Sequence, residues 1–255
     1  MIIGIVTAII ILFSVLGSEN AFIDPNAKKD VKKYILDKNK QDEVLALMKA
    51  YSKEFKAGRK KEKKMEKELE TLFSVRSNTL EDFQTIFDEY MQSRKSRQES
   101  YTKSILRTKS LITNSEWENM VANMDSKVKK QIKEQEKSVS SVEIINVKML
   151  AQLEKQIDEE ERRIQAARII EETNSTELSI LRKLNAFNYK DNEILRNKNA
   201  NEEEYRQAFR EYNGLWQEYF DLYTSAYEQL SAVTTDEEWK AIKKFTSKIF
   251  EWFDR

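Results

Sequence analysis

The stretch NEEEYRQAFREYNGLWQEYFDLYTSAYEQLSAV, residues 201–233, decides the fold. Tyr205, Phe209, Tyr212, Trp216, Tyr219, Phe220, Tyr223 and Tyr227 follow one another mostly at steps of three and four. That spacing lines side chains along one stripe of an α-helix. A second stretch, Thr79 to Val121, aligns with residues 201–243 without a gap at an offset of 122. Nine of the 43 aligned positions are identical, among them Phe87 and Phe209, Tyr90 and Tyr212, Tyr101 and Tyr223, and Trp117 and Trp239. About three identities are expected from average residue usage.

The helix punctuation repeats as well. Thr79-x-x-Asp82 and Asn201-x-x-Glu204 have the form of capping boxes, and Thr113-x-x-Glu116 and Thr235-x-x-Glu238 repeat it at the next boundary. In such a box a short polar side chain takes a backbone N–H of the first turn, and an acidic residue three positions on answers it. Each unit therefore predicts a long helix, a tight turn at Thr113 or Thr235, and a returning helix opened by a tryptophan.

Composition agrees with an all-α chain. Of 255 residues 40% are hydrophobic and 35% charged, a charge excess that suits long helices with wide solvated faces. There is one proline, Pro25, and four glycines, too few breakers for β-hairpin turns or a Gly-rich phosphate loop. The expected architecture is an elongated antiparallel helical bundle of two related hairpin repeats behind an N-terminal hydrophobic segment.

Ile2 to Leu16 is almost continuously apolar. As a helix, residues 1–17 span roughly 25 Å, inside the usable range for a bilayer. They predict a transmembrane anchor or a signal peptide cleaved near Gly17. Lys28, Lys29, Lys32 and Lys33 follow the run and favour a single-pass protein with its bulk in the cytoplasm. The alternative is export to the periplasm or cell exterior. Residues 18–27 read as a linker, and 28–255 as the bundle, with 79–137 the first repeat, 138–200 a central helix and loop, and 201–255 the second repeat. Within that plan, the stripe from Val44 to Phe73 predicts one amphipathic helix continuing to about Val75. Ser138 to Ser141 predicts a break, Val142 to Phe187 a helix that Asn174-Ser175-Thr176 could kink or break, and Asn188 to Ala200 a loop. The apolar Ile242 to Phe253 predicts a closing helix docked on the bundle.

Several chemistries are excluded. Lys+Arg and Asp+Glu both number 44, so no global field draws in nucleic acid. No histidine and no cysteine occur, which removes His-based metal sites, Ser-His-Asp and Cys-His nucleophiles, and disulfides. No spacing selects a catalytic carboxylate pair or a cofactor motif. The expectation is therefore no catalytic, cofactor or metal residue.

Two surfaces remain as candidates. On the aromatic stripe Arg94 and Arg97 stand where the second repeat has Trp216 and Tyr219. These four predict either guanidinium groups stacked on rings between packed helices or a surface for an anionic ligand or protein partner. Arg59, Lys60, Lys61, Lys63 and Lys64 lie in a basic stretch that either contacts an anionic surface or solvates an exposed face. The functional expectation is a membrane-tethered, non-enzymatic scaffold presenting long helical faces to protein partners or to further copies of itself. The alternative is an exported ligand-binding or sensing domain that uses the aromatic seam as a small-molecule pocket.

Overall fold

The computed structural model describes the backbone of residues 17–240 and most of their side chains, the exceptions lying chiefly between 131 and 154. The apolar run Ile2 to Leu16 and the closing segment Ile242 to Phe253 lie outside the described residues. Every regular element among the described residues is helical: α1 Gly17–Phe22, α2 Pro25–Tyr34, α3 Lys38–Phe73, α4 Leu80–Leu111, α5 Asn114–Gln156, α6 Glu160–Arg196 and α7 Glu202–Val233. A further helix opens at Asp236. None of these helices is long and apolar enough to cross a membrane.

The local signals form as chemistry dictates. Asp37 accepts from the backbone N–H groups of Asn39 and Lys40 and starts α3. Thr79 with Asp82, and Asn201 with Glu204, close reciprocal capping boxes at the starts of α4 and α7. Thr113 and Glu116 exchange the same pair of bonds at the start of α5, and Thr235 with Glu238 repeats them.

The antiparallel hairpins α3–α4, α5–α6 and α6–α7 supply the main packing, α4 lies against α7, and α1 and α2 pack on α5. Two hydrophobic cores result. One gathers the end of α3, the start of α4, most of α6 and the rings of α7 from Tyr212 onward, with Trp239. The other gathers α1, α2, the start of α3, the end of α4, Trp117 to Ile132 of α5, and Tyr205 and Phe209 of α7. Both long aromatic helices run through both cores.

Several boundaries differ from the sequence reading. Residues 18–27 are not a linker: they form α1 and the start of α2, with Ala21, Phe22 and Ala27 buried. The polar Glu19 hid this, because its partners are far away in sequence. Ser138 to Ser141 lies inside a continuous α5. Serine is only modestly unfavourable in a helix, so a short serine run does not by itself end one. The break falls instead at 157–159, and Glu160 and Glu161 sit in the first turn of α6, where the helix dipole favours them. Asn174 to Thr176 neither kinks nor breaks α6, since Thr173 and Thr176 return their hydroxyl bonds to the carbonyls of Ile169 and Glu172. The expected loop at 188–200 shrinks to 197–201, because Asn188, Asp191 and Asn192 are buried helix residues. Asn192 donates to Asp125 of α5 at 2.6 Å.

Candidate functional site

A polar layer crosses the waist of the bundle between the two cores, built by α1, α3, α4 and α7. Arg94 is 2% exposed, and its guanidinium carbon lies 4.3 Å from the ring centre of Tyr212 and 4.6 Å from that of Trp216. Its Nη1 donates to the Tyr90 hydroxyl at 2.8 Å, while Nε and Nη2 find no acceptor. A buried cation without a carboxylate is tolerable here because π-faces replace part of its hydration.

One turn on, Arg97 is held by two buried carboxylates. Its Nε donates to Glu19 of α1 at 2.8 Å, and its Nη1 to Glu62 of α3. Tyr51 donates to the same Glu19 oxygen at 2.9 Å, and Arg59 reaches Glu62 from the rim at 2.8 Å. Burial acts to lower the Arg97 pKa, but Glu19 and Glu62 together leave it raised. Gln98 and Asn213 complete the layer with a reciprocal amide pair at 3.2 and 2.9 Å.

All four residues expected as a partner or ligand surface are buried, so they form no surface. Arg94 and Trp216 meet as a cation over a ring. Arg97 turns to Glu19 and Glu62, and Tyr219 faces Glu177 with its hydroxyl 3.3 Å from Oε1. The charge partners were missed because Glu62 occupies an otherwise apolar step of α3 and Glu19 follows the hydrophobic run. The misfit of Glu62 on its stripe was the available signal.

Two enclosed groups titrate near neutrality. Burial pushes the Glu177 carboxyl up to about 7, against the Tyr223 and Tyr219 hydroxyls. Burial pushes the Lys109 ammonium down to about 7, although its N–H groups reach the carbonyls of Ile194 and Asn197 and the Tyr205 hydroxyl. Lys109 thereby closes the C-terminal end of α6. Glu66, on the rim beside Arg59, is likewise raised by burial to about 7.

Outside the layer, a cleft of about 370 Å³ lies between α4 and α7, floored by Gln98, Asn213 and Phe209 and rimmed by charges of both signs. Lys60, Lys61, Lys63 and Lys64 are exposed, whereas Arg59 is drawn to Glu62 and Glu66. No cluster of acidic side chains among the described residues is arranged to hold a metal ion. No family model, curated protein or solved structure matches this chain. The arrangement as it stands ties four helices together through charge and leaves the outer helix faces to solvent.

Proposed function

We propose that the chain is a membrane-tethered, non-enzymatic scaffold, anchored through residues 1–17 and assembled from two copies of one helical unit. The observation that carries this reading is the fate of the polar side chains. The buried ones, from Arg94 and Arg97 to Lys109 and Glu177, are spent inside the bundle, and the outward faces of helices 32 to 43 residues long are what remains for partners. At 1.5 Å per residue these faces extend about 50 to 65 Å.

The repeat is supported beyond the hairpins that suggested it. The starts of α3, α4 and α5 at Lys38, Leu80 and Asn114 are followed 122 residues later by helix starts at Glu160, Glu202 and Asp236. The end of α2 at Tyr34 and the end of α5 at Gln156 are separated by the same interval. Val44, Met48, Tyr51, Phe55, Glu62, Met65, Leu69 and Phe73 are the buried residues of α3, and each has a buried counterpart in α6 at that interval. On this reading α5 fuses the last helix of one unit to the first helix of the next, and each core draws on both units. The aromatic seam is filled by its own rings, as where Phe87 stacks on Phe220 at 3.9 Å, which disfavours a small-molecule pocket there.

Purification of the full chain from a detergent extract tests the proposal. Stable protein partners or further copies that survive washing support a scaffold. A chain recovered alone with a bound small molecule overturns it. Mass spectrometry of the mature N-terminus separates an anchor from a cleaved signal.

A further inference from the structure

Lys49, Lys53, Lys56, Lys60, Lys63 and Lys67 follow one another on α3 at steps of four, three, four, three and four. That spacing keeps them on one stripe, about 27 Å long, and all six are exposed. The stripe lies opposite the face that α3 buries through Tyr51, Phe55, Glu62 and Leu69. Among the described residues, none of the six has a carboxylate within ion-pair distance. Their neighbour Lys64 pairs with Glu68 at 3.1 Å, and Lys61 falls off the stripe.

A stripe of one sign is costly. Like charges three and four residues apart weaken a helix, and interspersed acids remove the cost. Other exposed helix faces of this chain do intersperse them: Arg168 pairs with Glu172, Arg206 with Glu202, and Lys129 with Asp125. The chain also carries its own control. The positions 122 residues after the six lysines are Glu171, Ser175, Leu178, Arg182, Asn185 and Tyr189 of α6, with one base among them. The same place in the fold therefore stays helical without a lysine stripe, so solvation alone does not call for one.

We infer that the α3 lysine stripe is a docking face for an anionic lipid surface, along which the bundle lies once tethered; this rests on the membrane-tethered reading. The stripe uses lysine and no arginine. Lysine offers a hydrated point charge suited to a diffuse field of headgroups, whereas bidentate recognition of an individual phosphate favours the arginine fork. The buried face of α3 is committed to the cores, so the helix contacts the surface by charge and does not insert. A tether at residues 1–17 also raises the effective concentration of bilayer at the stripe.

The test uses the full chain with vesicles of phosphatidylcholine alone or mixed with phosphatidylglycerol. Flotation with neutral vesicles in about 1 M salt, where the screening length is about 3 Å, reports the tether by itself. If the chain fails to float there, the tether reading falls, and the stripe is scored by salt-sensitive flotation on anionic vesicles. For the stripe, amine acetylation is followed residue by residue. Near an anionic surface one lysine contributes a factor of about five, so labelling of Lys53, Lys56 and Lys60 slows at least that much on anionic vesicles relative to neutral ones. Salt restores it, and Lys183 on α6 is unaffected. In the triple variant Lys56→Glu, Lys60→Glu, Lys63→Glu, protection of Lys49, Lys53 and Lys67 disappears while helicity stays. Equal labelling on both vesicles overturns the inference. So does protection that survives the triple variant, or protection conferred by duplex DNA or an acidic polypeptide without lipid.

Discussion

Arg94 and Trp216 face each other at the centre of the bundle, guanidinium carbon 4.6 Å from ring centre, and they are also 122 residues apart in sequence. On the two-copy reading proposed above, a residue that packs against its own counterpart sits on a local twofold relation between α4 and α7. The same reading relates the cross-helix pairs around it. Phe83 packs on Tyr227 at 4.8 Å, and their counterparts Tyr205 and Ile105 share the opposite core. Tyr90 lies 5.9 Å from Trp216, and its mate in the relation is Arg94 over Tyr212.

The two arginines of the waist respond differently to truncation. Arg94→Leu removes a buried cation that has no carboxylate of its own, and folding stability changes by less than about 1.5 kcal/mol in either direction. Arg97→Leu leaves buried Glu19 to the Tyr51 hydroxyl and buried Glu62 to Arg59 at the rim, and costs about 3 to 5 kcal/mol. Adding Glu62→Leu and Glu19→Gln to Arg97→Leu recovers most of that loss. Urea unfolding of the four proteins measures it, and equal effects of Arg94→Leu and Arg97→Leu would contradict the charge assignment.

Glu177 sets a pH dependence. Its folded pKa is raised from 4.5 to about 7, so below pH 4.5 both folded and unfolded chains hold the proton. As pH climbs from 4.5 toward 7 the unfolded chain gives up that proton first, and stability falls by up to about 3 kcal/mol before levelling off. Glu66, also raised to about 7, adds a smaller fall in the same window because it lies at the rim. Thermal melts of Glu177→Gln across pH 5 to about 8 should show the larger part of the fall removed. A decline as steep as that of the unmodified chain would place the titration elsewhere.

Gly214 lies in the interior of α7, and a methyl group built there meets nothing within 4 Å. Gly214→Ala therefore stabilises by up to about 1 kcal/mol through helix propensity, which raises Tm by about 2 to 4 °C. At Gly58 an added methyl meets Arg97 Cδ at 3.7 Å, an ordinary contact, so Gly58→Ala is accommodated as well. Glycine at 58 is not required for the approach of α4 to α3. Calorimetry of both variants settles the sign.

Thr79 and Asn201 perform the same task at equivalent helix starts. Thr79→Ala and Asn201→Ala each cost about 1 kcal/mol, and because the sites share no partner the double variant loses the sum. A double variant that departs clearly from additivity would mean that the two hairpins sense each other's ends. Chemical denaturation of the three variants reads this directly.

The all-helical fold and the caps at Thr79, Thr113, Asn201 and Thr235 were legible in the chain alone. Each depends on side chains within four positions of one another. What tertiary structure alone decided is where charge is buried. Arg97 is 78 residues from Glu19 and 35 from Glu62, and no local pattern pairs them. The same holds for α1, whose first-turn Glu19 is stable inside the bundle only because Tyr51 and Arg97 hold it there. Serines and asparagines that predict breaks locally, at 138–141 and 188–192, lie in continuous helix. The packing of whole helices outweighs the few tenths of a kcal/mol by which such residues disfavour a turn.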